Sequence, residues 1–168
     1  INKANESGET PLFRATQNKH IDVVKYLVEN GADINKANES GETPLFRATQ
    51  NGDIDVVKYL VENGADINKA NIYGYTPLFW AAQNKHIDVV KYLTENGADI
   101  NKANKSGETP LLLAAKNGHI DVVKYLRHAM NLTNESDFEK YLQNQKSYIL
   151  VLKLQRKSSL GIWRNGAD

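Results

Sequence analysis

Apolar and polar positions alternate along this chain in two helical patterns. In the longer pattern, Ile21, Val24, Leu27 and Val28 fall on one face at helical spacing, which predicts an amphipathic helix from Ile21 to about Glu29. The shorter pattern begins with a Thr-Pro pair. Thr is a favoured N-cap and Pro is tolerated at the first helical position, so this pattern predicts a short helix over about residues 11–17.

The two patterns recur together at a fixed period. The triplet Gly-Ala-Asp begins at Gly31, Gly64 and Gly97, an interval of 33 residues. Thr-Pro-Leu recurs in the same phase, at Thr10, Thr43, Thr76 and Thr109. A period of this length indicates a stacked array, because one helix pair cannot bury its apolar face alone.

Several motifs of the unit resemble ankyrin repeats. They are the period itself, Thr-Pro-Leu-x-x-Ala, His-x-Asp-Val-Val-Lys-Tyr-Leu and Asn-Gly-Ala-Asp-Ile-Asn. The resemblance implies helix pairs with protruding β-turn fingers. Each finger would come from an Asn-x-x-Gly turn, where Gly can adopt a positive φ. We therefore expect an all-α solenoid of four units, residues 1–33, 34–66, 67–99 and 100–130, followed by a divergent helical cap over 131–168.

One position departs from that family. Where the family motif has His after Thr-Pro-Leu, this chain has an apolar residue in all four units: Phe13, Phe46, Phe79 and Leu112. We expect a larger buried apolar area there in exchange for a lost polar contact.

The repeat pattern breaks after Leu126. Ser136-x-x-Glu139 is a capping-box signature and predicts the start of a helix. The apolar pattern of residues 148–157 fits either a second helix or a buried strand. We interpret 131–168 as a degenerate terminal unit, since terminal repeats are atypical where they face water. The alternative is a distinct segment that docks an adaptor.

Composition excludes several classes of function. Charged residues make up 24% of the chain and the net charge is +1, so no strong field attracts nucleic acid or anionic lipid. There is no cysteine, which excludes disulfides and thiolate metal sites. The opening residues do not read as a signal peptide, and no apolar run reaches the roughly 20 residues that span a bilayer. We expect a cytoplasmic protein that binds neither nucleic acid nor membranes.

Candidate catalytic groups occur only as repeated positions. Histidine precedes the second helix in three units: His20, His86 and His119. Equivalent positions on stacked helices are roughly 8–10 Å apart, too far for ligands that each lie about 2 Å from one metal. We expect these histidines to tie the start of a helix. The equivalent Glu9, Glu42 and Glu108 read as a solvated face. No phosphate loop or hydrolase motif is present, so we expect no enzyme activity, metal or cofactor.

The units differ from one another mainly in the third. Units one and two differ only at Lys19/Gly52 and His20/Asp53, which suggests that they serve as scaffold. Unit three has apolar and aromatic residues in place of Glu39, Ser40, Glu42 and Arg47. These replacements are Ile72, Tyr73, Tyr75 and Trp80.

By the resemblance, the finger and the exposed edge of the first helix line a concave face. Exposed aromatic residues are typical of binding hot spots. The residues that we expect to contact a partner are Ile72, Tyr73, Tyr75, Trp80, Glu39, Glu42, Lys105 and Glu108. The alternative for Trp80 is packing between units, as for the equivalent Leu113. A partner with an apolar centre and a basic rim would fit this surface.

We therefore expect a monomeric, non-enzymatic module that recognises a protein partner through its concave face. Two alternatives stay open. The chain could be the targeting arm of a larger enzyme or toxin. It could also form a structural array, with chains associating end to end through the first unit, which has no obvious polar cap.

Overall fold

A computed structural model describes residues 1–145, and in that range helices joined by tight turns form a linear stack without strands. The predicted all-α solenoid is confirmed. The short first helices of the four units are α1 Pro11–Gln17, α3 Pro44–Asn51, α5 Pro77–Gln83 and α7 Pro110–Lys116. The second helices are α2 Ile21–Glu29, α4 Ile54–Glu62, α6 Ile87–Glu95 and α8 Ile120–Ala129. A further helix, α9, spans Glu135–Gln143. The stretch 148–157 lies outside the described residues.

Each first helix begins with the same cap. In α1 the hydroxyl of Thr10 accepts a hydrogen bond from the amide of Phe13 at 3.2 Å, and Pro11 occupies the first turn. The capping bond satisfies an amide that has no partner within the helix. The residue that donates this amide is buried in every unit, with at most 3% of its surface exposed at Phe13, Phe46, Phe79 and Leu112. The expected burial at the position that departs from the family is confirmed.

The core runs through the whole stack and is completed where one unit packs on the next. Val23 and Val56 occupy the same position in units of almost the same sequence, yet Val23 is 46% exposed and Val56 is 0% exposed. Within the described residues, Val56 has a preceding unit packed beside it and Val23 does not, so contact with a neighbouring unit decides whether this valine is buried. The first helices of neighbouring units pack more extensively than the second helices, as expected on the inner side of a curved array.

Asparagine side chains tie the two ends of each unit together. The Asn35 side chain accepts a hydrogen bond from the amide of Asp66 at 2.7 Å and donates one to the carbonyl of Gly64 at 3.1 Å. Asn2 and Asn68 repeat the same pair of bonds one unit earlier and one unit later. Both polar ends of each amide group are therefore satisfied within one unit, between its first and last residues.

The histidines also connect units. Nε2 of His86 donates to the carbonyl of Gln50 at 3.1 Å, and Nε2 of His119 donates to that of Gln83 at 2.8 Å. Each precedes a second helix as predicted, but the side chain does not cap that helix. The expectation that it ties its own helix start is wrong, because the imidazole reaches the preceding unit instead. Gly52 leaves room for this contact, since a Cβ there would overlap the ring of His86.

The start of α9 differs from the prediction. Asn134 is its N-cap and accepts a hydrogen bond from the amide of Asp137 at 2.8 Å, so the capping box predicted at Ser136 is wrong. The sequence around Asn134 resembles that around Asn5, which begins a finger. Gly8 follows Asn5 at three residues and adopts a φ of +76°, whereas the corresponding residue here is Asp137. The segment therefore lacks the glycine that the finger turn uses at a positive φ, and here it forms a helix.

Helix α9 is anchored to the last units through its buried side. Phe138 and Leu142 join the common apolar core. The guanidinium of Arg127 lies 4.0 Å from the centroid of the Phe138 ring. The Tyr141 hydroxyl lies 2.8 Å from that of Thr109, and burial raises the pKa of Tyr141 while this hydrogen bond opposes the rise. These contacts agree with a capping role for the C-terminal unit, which stays a prediction.

The paired valines give a test of stacking. Val56→Ala should lower the free energy of unfolding by about 2 kcal/mol, because it leaves a cavity between units. Val23→Ala removes the same atoms from a half-exposed site and should cost less than about 0.5 kcal/mol. The change in helix propensity is the same in both variants and cancels. Urea unfolding followed by circular dichroism measures the difference; equal losses would contradict stacking as the source of burial.

The histidine contact gives a second test. His86→Ala should destabilise the protein by about 1 kcal/mol, since the Gln50 carbonyl loses one of its two hydrogen bonds across the unit boundary and keeps only that from Asn84. His20→Ala is the matched control, because His20 is exposed and no unit precedes it. Thermal unfolding of both variants checks this expectation. A larger loss for His20→Ala would show that the histidine acts within its own unit.

Candidate functional site

The third finger, Asn71–Tyr75, is a tight turn built around a buried asparagine. The Asn71 side chain accepts hydrogen bonds from the amides of Tyr73 and Tyr75, each at 3.0 Å, and the Asn71 amide donates to the Tyr75 carbonyl at 3.0 Å. Gly74 adopts a φ of +83°, and a Cβ there would approach the backbone nitrogen of Lys105 to 2.9 Å. Glycine thus allows both the turn and the close approach of the next finger. The finger is held rigidly by its own backbone bonds.

The tip of this finger presents apolar side chains to solvent. Ile72 is 48% exposed and Tyr73 is 57% exposed. At the same two positions, the second finger has Glu39 and Ser40. Large apolar groups that remain exposed on a rigid turn are typical of a contact surface.

Tyr75 and Trp80 lie behind the tip and are partly buried. The Tyr75 ring centroid is 4.7 Å from that of Phe79, with the two rings tilted, and it is 5.9 Å from that of Trp80, which it meets edge to face. Trp80 also meets Phe46 of the preceding unit edge to face at 5.9 Å. Its indole N–H is buried and has no hydrogen-bond partner among the described residues, so ring packing holds it in place. The structure therefore places Trp80 between units, in the alternative position considered from sequence.

The Tyr75–Trp80 pair replaces an ion pair. In unit two, Arg47 lies 2.7 Å from the carboxylate of Glu42, and its guanidinium lies 5.2 Å from the Phe13 ring centroid of the unit before. Unit one has the equivalent Glu9–Arg14 pair at 3.1 Å. In unit three both partners are aromatic, and Trp80 takes the place of the guanidinium against the preceding phenylalanine.

The charged residues predicted around the patch divide into two groups. Glu39 and Lys105 are exposed at the neighbouring fingertips, and the Lys105 amide donates to the Tyr73 carbonyl at 3.0 Å. Glu42 is engaged by Arg47, and Glu108 lies 3.4 Å from Lys116. Only the first group offers a charge that the chain does not already compensate through an ion pair within residues 1–145.

Considered one position at a time, the sequence does not predict that Tyr75 of the finger packs against Trp80 of the helix. The signal is present in the sequence, since Glu42 and Arg47 change together to Tyr75 and Trp80. Comparing pairs of positions between units, five residues apart, would have found it.

Neither metal binding nor membrane insertion finds support in this part of the chain. Within residues 1–145, no group of three or more His, Cys, Asp or Glu side chains could hold a metal ion. None of the helices described is long and apolar enough to cross a bilayer.

The exchanged pair gives a third test. Trp80→Arg alone should destabilise the protein by about 1–2 kcal/mol, because the guanidinium loses ring packing and meets no carboxylate at Tyr75. Adding Tyr75→Glu restores the pair of unit two and should recover at least half of that loss. A double-mutant cycle on unfolding free energies measures the coupling, expected near 1 kcal/mol. Additive effects would contradict direct pairing.

Comparison with known proteins assigns the repeat. A family model described as ankyrin repeats (3 copies) matches residues 1–71, 35–104 and 68–137. A stretch of 34 residues, 20% of the chain, is 53% identical to alpha-latrocrustotoxin-Lt1a of Latrodectus tredecimguttatus, and the match covers 2% of that protein. Because the family matches overlap from the first residue to beyond the fourth helix pair, the chain belongs to the ankyrin repeat family.

Proposed function

We propose that this chain is a non-enzymatic protein-binding module whose partner contacts the tip of the third finger. Ankyrin repeats are generally protein–protein interaction modules. The observation that carries the proposal is the exposure of Ile72 and Tyr73 on a turn where the second finger has Glu39 and Ser40. The second finger forms the same asparagine-centred turn with polar residues at its tip, so the apolar tip is not required for folding.

Tyr75 and Trp80 support the tip and contribute to the contact surface at its base. The Tyr73 and Tyr75 ring centroids are 6.1 Å apart, so a partner over Tyr73 also meets the edge of Tyr75. The finger is fixed by the Asn71 bonds before any partner arrives. Binding therefore costs little backbone entropy, which favours affinity from a small contact area.

The match to the toxin gives no evidence for an activity of this chain. Its 34 residues are about the length of one repeat unit, so it reflects the repeat rather than the function of that much longer protein. A second candidate is end-to-end association of chains. Val23 and the 63% exposed Tyr26 lie where a preceding unit would cover them. End-to-end association would give an average mass, measured by light scattering, that rises with protein concentration.

The proposal predicts which variant loses binding. Binders are selected with the 168-residue chain from a displayed library of natural protein segments. Ile72→Glu with Tyr73→Ser gives the third finger the tip of the second, and should weaken the selected binders at least tenfold. The fold should persist, since the second finger already carries these residues. Isothermal calorimetry measures the affinities, and circular dichroism checks the fold.

The matched control is Tyr26→Ser, which removes an equally exposed tyrosine from the second helix of unit one. Its affinities should stay within about twofold of the original. Binders that tolerate the altered fingertip but lose affinity with Tyr26→Ser would place the binding surface on unit one and contradict the proposal.

A further inference from the structure

The four fingers form a row with a fixed spacing. Each finger contains two chain segments, closed in the second finger by the bond from the Asn38 amide to the Glu42 carbonyl at 3.0 Å. One backbone bond joins each finger to the next, as from the Ile72 amide to the Ser40 carbonyl at 3.0 Å. Hydrogen-bonded segments lie about 4.8 Å apart, so two segments per finger place successive fingertips about 9.6 Å apart.

The fingertips carry an ordered set of chemical groups. The first tip position is exposed in every unit and holds Glu6, Glu39, Ile72 and Lys105 in turn. The second position holds Ser in all units except the third, which has Tyr73. Along the row the order is negative, negative, apolar and positive.

These tip charges are available to a partner. Among the described residues, Glu6, Glu39 and Lys105 take part in no ion pair. The lysine that precedes each finger, as at Lys36, recurs unchanged in all four units and gives the row no direction. The direction of the row therefore comes from the first tip position alone.

The spacing matches one extended backbone conformation. A polyproline II helix has three residues per turn and rises 3.1 Å per residue, so every third side chain points the same way at intervals of about 9.3 Å. A β-strand does not fit, because residues three apart point to opposite faces. Aromatic surfaces are a common docking site for polyproline II segments. Tyr73 and Tyr75 provide such a surface beside the fingertip row.

We infer that the partner surface is a polyproline II segment with one side chain in three facing the fingertips. Basic residues lie over Glu6 and Glu39, an apolar residue lies against Ile72 and Tyr73, and an acidic residue lies over Lys105. The inference rests on the proposed function and adds the chemical class of the partner. The four tip groups select both the order and the spacing of the side chains that they meet.

Designed peptides test the order of charges. Lys-Pro-Pro-Lys-Pro-Pro-Leu-Pro-Pro-Glu and its reversed sequence carry the expected order in the two chain directions. A control of the same composition, Lys-Pro-Pro-Glu-Pro-Pro-Leu-Pro-Pro-Lys, places a lysine over Lys105 in either chain direction. One of the first two should bind about tenfold more tightly than the control in low salt. Fluorescence anisotropy with the 168-residue chain measures each affinity.

A second control tests the spacing. Lys-Pro-Lys-Pro-Pro-Pro-Leu-Pro-Glu-Pro has the same composition but places its side chains two and four residues apart. It should also bind about tenfold more weakly, since its side chains point in different directions. Lys105→Glu should then reduce the preference for the expected order at least threefold. Ile72→Glu with Tyr73→Ser should weaken the preferred peptide.

The outcomes separate this inference from the proposed function. Peptides that bind through Tyr73 without regard to charge order or spacing overturn the inference and leave the proposed function intact. Absence of peptide binding, or binding that survives the altered fingertip, also overturns the inference. The library-selected binders then decide independently whether a protein partner uses the third finger.

Discussion

The contact of each unit with its neighbour is the constraint on which the rest of this structure depends. Units one and two have nearly the same sequence, yet Val56 is buried and Val23 is not, and Pro44 is buried while Pro11 is exposed. Burial is therefore a property of position in the stack. Apolar area leaves water only when units meet, so stability is expected to grow with each added neighbour contact.

Sequence predicts the repeated part well because each unit carries its own local signals. The Thr-Pro cap and the helical spacing act within a few residues, and the structure begins each first helix where they indicate. The last unit shows the limit. Asn134 resembles the asparagine that begins a finger, but Asp137 stands in place of the glycine and no Thr-Pro follows, and the segment is a helix.

Contacts between units are harder to read from sequence. The sequence correctly predicts that His86 precedes a second helix. Its partner Gln50, however, belongs to the preceding unit and is 36 residues away. At the candidate site, the exposure of Tyr73 follows from its position at a fingertip. The packing of Trp80 does not, because a tryptophan on a helix edge can face solvent or a neighbouring unit. Only the joint replacement of the Glu42–Arg47 pair by Tyr75 and Trp80 indicates that Trp80 faces the neighbouring unit.

The division of roles within a unit explains how one surface can specialise. Side chains common to the units, such as Asn35 and Asn71, hold each unit and each finger in shape, and backbone bonds join one finger to the next. The tip side chains form none of the bonds between fingers, which the backbone provides. Changing a tip therefore alters recognition with little effect on folding. Because the same bonds fix the distance between fingertips, the order of the groups displayed there can carry specificity.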